Sequence, residues 1–156
     1  MLNSLRLATV FLFFAILLFV QDSNPAKQST SQKNPCDWAM TQQDLNQCSG
    51  EQYRKADGHL NAVYVKLMNM VEKDLAEAQK QSDAERKAYS ETVVQKLKAA
   101  ERAWIQYRDL HCDAARHQYE GGSMSPMVWA DCMTTTTDHR IVDLKNAYGS
   151  GDRALE

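Results

Sequence analysis

Between Thr41 and Lys80 the chain has no proline, and its apolar residues return mostly every three or four positions. Leu45, Cys48, Ala56, Leu60, Val63, Leu67, Val71 and Leu75 mark one face. That period belongs to a helix with one buried side. Thr41 is placed to cap it, with Asp44 three residues on. Gly50 and Gly58 interrupt the pattern at about 1 kcal/mol each relative to alanine, which predicts a packing reason for at least one of them. A second helix opens at Ser82-Asp83-Ala84-Glu85, which fits a capping box with Ser82 as cap. Its stripe is Val93, Leu97, Ala100, Trp104, Tyr107, His111 and Ala114. The steps alternate four and three, as in a bundle seam. Gly121-Gly122 ends it. A third helix opens at Ser125-Pro126, where proline suits the first turn, and runs to about Tyr148. Its Thr134–Thr137 run costs on the order of 2–3 kcal/mol against alanine, so this helix needs tertiary support.

Short connections force antiparallel neighbours. The expected fold is therefore all-α: an antiparallel three-helix bundle with two long helices and one shorter, stapled by disulfides. A turn near Gln81 sets Gly58 opposite Trp104, where the glycine would make room for the indole. The same register puts Asp57 within a turn of Arg108.

Ahead of the helices, Leu7 to Val20 is a continuous apolar stretch behind Arg6. A positive start with an apolar core this short reads as a secretory signal, since a spanning helix needs roughly 20 apolar residues. No Ala-x-Ala site follows Val20, so retention as an anchor is the alternative. Residues 21–35 are polar and read as a flexible tether. The organisation expected is a signal over 1–20, the tether over 21–35, one helical domain over 36–148 and a disordered tail over 149–156. The chain carries 18 basic and 20 acidic residues. That mild balance, with no basic run, gives no sign of a nucleic-acid partner.

Cys36, Cys48, Cys112 and Cys132 are an even set behind a leader, which points to disulfides in an oxidising compartment, periplasmic or secreted. No Cys-x-x-Cys occurs, which disfavours a zinc site or a redox site. The start of the first helix, the end of the second and the start of the third share one end of the bundle, so all four thiols converge there. Topology alone does not choose a pairing. Proximity in sequence favours Cys36–Cys48 with Cys112–Cys132; the rival is Cys48–Cys112 with Cys36–Cys132. In the favoured scheme each loop is worth about 3 kcal/mol in the chain-entropy view.

Other chemistry is sparse. His59, His111, His117 and His139 lack the spacing of a helical metal site, and no metal or cofactor is expected. Asp57, Asn61, Arg108, Asp109 and Arg140 lie beside seam positions. They read as a structural polar network that fixes helix register, with Arg140 expected to meet Asp109 or Asp57. Met68, Met70, Met127, Met133, Trp129 and Tyr148 read as core. Gly121, Gly122, Ser123 and Met124 form a turn beside an expected disulfide, pre-ordered to enter a partner's cleft. No nucleophile elbow, phosphate loop or zinc signature marks an enzyme.

One ordered set of residues carries a family resemblance. It runs Cys36, Thr41, Cys48, Tyr53, Ala56-Asp57, Leu60-Asn61 and Tyr64. It continues with Ala103-Trp104-Ile105-x-Tyr107-Arg108-Asp109-x-x-Cys112, Gly121-Gly122-Ser123, Cys132, Thr137, Arg140 and Leu144. Across nearly all of 36–148 the chain resembles the lysozyme-inhibitor LprI-like N-terminal domain family of small, exported, helical bacterial proteins. The resemblance implies a non-enzymatic inhibitor that blocks lysozyme by protein–protein contact, and it carries over no inhibitory residues. A slightly acidic, disulfide-stapled domain suits a strongly basic enzyme. The alternative is an envelope structural or protein-binding module with no effect on lysozyme.

Overall fold

The structure, a computed structural model, describes residues 35–149 and Leu155. The expected signal, and the tether up to residue 34, lie outside the described residues. Three helices follow in order: α1 (Gln42–Lys80), α2 (Ala84–His117) and α3 (Ser125–Tyr148). No strand occurs among the described residues, and the all-α fold with two long helices and one shorter is the one expected. Cross-helix pairs fix the directions. Asp57 with Arg108 and Glu72 with Lys98 make α1 and α2 antiparallel. Glu101 with Arg140 and Cys112 with Cys132 do the same for α2 and α3. α1 and α3 therefore run parallel and share the most extensive packing of the three pairs.

The helix ends show how local chemistry sets the boundaries. At the start of α1, Thr41 Oγ1 accepts from the Asp44 N–H at 3.1 Å, and Asp44 Oδ2 accepts from the Thr41 N–H at 3.0 Å. These bonds, first that of the Thr41 side chain, hold the Asp44 carboxyl below its ordinary range. The end of α1 differs from expectation. Ser82 is not the cap of α2 but sits in the left-handed region with φ 54°. There its N–H donates to Gln79 O and the Asp83 N–H donates to Ala78 O, a Schellman ending. The cap moves one residue on, to Asp83, which accepts from the Arg86 N–H at 2.9 Å. α2 likewise stops at His117, ahead of Gly121-Gly122, and Gly121 supplies a left-handed φ of 75° within the turn.

Leu60, Val63, Leu67, Met68 and Val71 of α1 pack with Val94 and Leu97 of α2 and with Ile141 and Leu144 of α3. Leu155 belongs to the same cluster and is buried; the rest of the expected tail beyond Gly149 lies outside the described residues. The larger difference is on α2. Its buried positions are Ser90, Val94, Leu97, Glu101, Arg108 and Cys112. Of the expected stripe only Leu97 is fully buried. Val93 and Trp104 are half-buried, while Ala100, Tyr107, His111 and Ala114 face solvent. The helix is turned by about one residue, or roughly 100°. The interior accepts Glu101 and Arg108 because their charges find partners there.

The α1–α2 register also differs from the one assumed. Asp57 lies within a turn of Arg108, as expected, and the two pair at 3.1 Å, whereas Glu72–Lys98 is displaced by about two turns from the assumed register. A Cβ built on Gly58 meets nothing within 4 Å, and one on Gly50 meets only Arg54 Nη1 at 3.8 Å. Neither glycine makes room for a side chain, so the expected Gly58–Trp104 contact is corrected. Gly58→Ala is accordingly expected to stabilise the protein by about 1 kcal/mol, read as a rise in the midpoint of thermal or urea unfolding. An unchanged or lower midpoint would mean that the bare backbone at Gly58 has a role.

Candidate functional site

Two disulfides, Cys36–Cys48 and Cys112–Cys132, lie at the end of the bundle where α1 and α3 begin and α2 stops. The first ties the entering segment 36–40 back onto α1. The second joins the end of α2 to the first turns of α3, the helix with the poor threonine run. Of the three half-cystines within helices, Cys48 and Cys112 are buried and Cys132 is half-buried. Within that run Thr134 returns a bond to Ala130 O at 2.9 Å, Thr136 lies 3.9 Å from Cys112 Sγ, and Thr137 is fully buried. The Thr134 hydroxyl bonds back along the helix and that of Thr136 faces a disulfide sulfur, whereas the buried Thr137 Oγ1 has no hydrogen-bond partner among the described residues.

A second feature runs through the interior beneath that end. Arg108, with its side chain only 8% exposed, reaches Asp57 on α1 at 3.1 Å and its neighbour Asp109 at 3.0 Å. Asn61 donates to the other oxygen of Asp57 at 3.3 Å, which orients that carboxylate. Burial alone pulls the Arg108 guanidinium down. The hydrogen bonds and charges of Asp109 and Asp57, together with Tyr53, outweigh it, and the net direction is upward. The guanidinium also lies over the rings of Trp104, at 5.1 Å, and Tyr53, at 5.7 Å. Tyr53 in turn meets Trp129 of α3 edge-on at 5.4 Å, and its burial raises the phenol above its ordinary value.

Arg140 was expected to meet Asp109 or Asp57. Instead its Nε and Nη2 both donate to Glu101 Oε2, at 3.1 and 2.9 Å, and its guanidinium lies 5.6 Å from the Trp104 ring. The expected partners are already engaged by Arg108, and Glu101 faces inward on the turned α2. Of the five polar residues singled out, the structure brings Asp57, Asn61, Arg108 and Asp109 together and sets Arg140 in a separate pair. Glu101 was missed. Its signal was present in its spacing of seven from Arg108, two charged residues on one helix face that also carries Leu97 and Cys112.

The turn 118–124 sits against α1. Asn46 Nδ2 donates to Ser123 O at 3.0 Å, and Gln42 Nε2 approaches Met127 Sδ at 3.7 Å. Gly121, Gly122, Ser123 and Met124 are exposed, so the turn is held from beneath and open above. Of the other residues considered, Met68 and Met133 are buried. Met70, Met127 and Trp129 are half-buried, and Tyr148 is exposed. His117 pairs with Glu120 at 2.9 Å and His111 stacks on Tyr107. Among the described residues no cluster of His, Cys, Asp or Glu is arranged to hold a metal ion, and no helix is long and apolar enough to cross a membrane.

This arrangement of two disulfides around a three-helix interior coincides with a family match. The family described as Lysozyme inhibitor LprI matches residues 33–144. The chain belongs to the LprI lysozyme inhibitor family. The match takes in every residue of the interior network and both disulfides. An uncharacterized protein of Rhizobium meliloti (strain 1021) is 37% identical over 131 residues, covering 81% of this chain and 88% of its own. No solved structure matches the chain.

The two ion pairs of this LprI family member differ in redundancy, and substitution should expose the difference. Arg108 has two carboxylates, and Asp57 and Asp109 are each more than a third exposed. Asp57→Asn is therefore expected to cost less than about 1 kcal/mol, as for surface pairs. Arg140 and Glu101 are 17% and 10% exposed, so Arg140→Met leaves a nearly buried carboxylate without its cation, at a cost of about 3–5 kcal/mol. Urea unfolding of the two variants checks the order. Equal losses would contradict it.

Proposed function

We propose that this chain is an exported, non-enzymatic inhibitor of lysozyme that blocks the enzyme by protein–protein contact. The observation that carries this reading is the family match over residues 33–144. The structure supports it physically in two ways. Two disulfides in a chain this small fit an oxidising compartment outside the cytoplasm, either periplasmic or secreted. The charged side chains of the interior are engaged in joining helices, while the turn 121–124 is exposed and supported by Asn46 and the Cys112–Cys132 bridge. A pre-ordered loop loses little entropy on binding, which suits insertion into an enzyme cleft.

A second reading is an envelope protein that binds another partner and leaves lysozyme alone. One observation favours it: α2 exposes Tyr107, Leu110 and His111 outside the turn 118–124, and exposed apolar patches often mark contact surfaces.

Lysis of bacterial walls by lysozyme, followed by turbidity with and without the oxidised protein, separates the two. Micromolar protein is expected to slow lysis by at least one lysozyme type in proportion to the amount added. Unchanged rates with chicken-type, goose-type and invertebrate-type lysozymes alike would overturn the inhibitor reading.

A further inference from the structure

The disulfide end carries more than the turn 121–124. The loop closed by Cys36–Cys48 presents Trp38 and Met40, which are 53% and 88% exposed, and the loop across from it presents Tyr119 and Met124, at 41% and 40%. The two loops are joined by the Asn46–Ser123 bond at 3.0 Å and by Gln42 against Met127. Each is closed by its own disulfide. Large side chains left in water on a doubly braced surface have the composition of interface anchors, since aromatic residues and methionine are enriched at the centres of protein contacts.

The charge on these two segments is one-sided. Residues 35–51 and 118–132 together contain Asp37, Asp44, Glu51, Glu120 and Asp131, and no lysine, arginine or histidine. Of the neighbouring basic residues, Arg116 pairs with Asp113 at 3.0 Å, His117 meets Glu120, and Arg54 reaches back toward Gly50. The chain as a whole has only two more acidic than basic residues, so the acidity is concentrated rather than general. Asp44 is held in its charged form by the capping bonds of Thr41. A surface of this kind attracts a cationic partner over a Debye length and then buries its apolar anchors.

We infer that the binding face is this two-loop cap, with Trp38 and Met40 as apolar anchors beside the 121–124 turn. Its partner is a basic protein surface with an apolar cleft. The inference rests on the lysozyme reading, which supplies that partner, and adds the Cys36–Cys48 loop to it. The interior network then has a function at a distance: it sets the register that brings the two loops together.

The test uses the full exported chain with both disulfides formed, and a chicken-type lysozyme as the basic probe. Trp38→Ser and Met40→Ser together are expected to weaken binding by at least about 30-fold, as for the loss of a hot spot. Asp37→Lys is expected to slow association about tenfold at low salt and much less at high salt. Leu110→Ser, on the exposed face of α2, is expected to bind as wild type does. All these positions are solvent-exposed, and an unchanged unfolding midpoint certifies each variant as folded. If wild type neither binds nor inhibits this enzyme or its goose-type and invertebrate-type counterparts, the lysozyme reading falls and this inference with it. If wild type inhibits while the Trp38/Met40 variant binds equally well, or Leu110→Ser is the one that fails, the lysozyme reading stands and the two-loop cap is overturned.

Discussion

Trp104 lies under two guanidinium groups, one from its own helix and one from α3, and the register of the bundle depends on that arrangement. Arg108 reaches across to Asp57 on α1, and Arg140 reaches back to Glu101 on α2. Each arginine thus joins two helices while covering part of the same indole. A cation over an aromatic face contributes roughly 0.5–2 kcal/mol. The larger effect is negative: a sliding of α3 against α2 by a turn would leave Glu101 and Arg140 without partners, at several kcal/mol each, while Arg108 would keep Asp109 of its own helix. Apolar side chains alone tolerate such shifts, because Leu and Val fit many neighbours. The ionic pairs do not.

That constraint connects the interior to the ends. With α1 and α2 fixed through Asp57–Arg108, and α2 and α3 through Glu101–Arg140, the starts of α1 and α3 fall beside the end of α2. The four cysteines then meet as near neighbours. The disulfides limit the unfolded chain, by about 3 kcal/mol for loops of this length, and they hold loops that have no regular structure of their own. The threonine-rich third helix is kept by the same means: its first turns are tied to α2, and its middle carries Arg140. Stability and the candidate binding surface thus come from one set of contacts.

Much of this was legible in the sequence. Three helices followed from the apolar period and the cap of α1, and the cysteines marked the end where the loops gather. The face of α2 was misjudged for a physical reason. Its apolar residues Tyr107, His111 and Ala114 repeat as a seam should, but the interior chose the neighbouring face with Glu101 and Arg108. A periodicity argument counts charge as outward, and a buried charge can be recognised only through its partner on another helix, such as Arg140 on α3. The glycine at 58 was overread for a similar reason, since an inferred register carries errors of a turn. The Ser82 hydroxyl suits a cap, whereas the tight turn requires a residue in the left-handed region first, and Ser82 fills it. The turn 121–124 was visible by its glycines. Trp38 and Met40 carried no periodic signal, and their place beside that turn emerges only once both disulfides and the Asn46–Ser123 contact are laid out.

Paired charges inside the bundle act together to fix its register. A double-mutant cycle on Glu101→Leu and Arg140→Leu, measured by urea unfolding, tests it most directly. Each single change should destabilise strongly, because it strands the opposite charge. The double change, which removes both charges, should recover much of the loss, leaving an interaction energy of about 2–3 kcal/mol. Losses that simply add, to within about 0.5 kcal/mol, would show that the two side chains act independently and would contradict the claim.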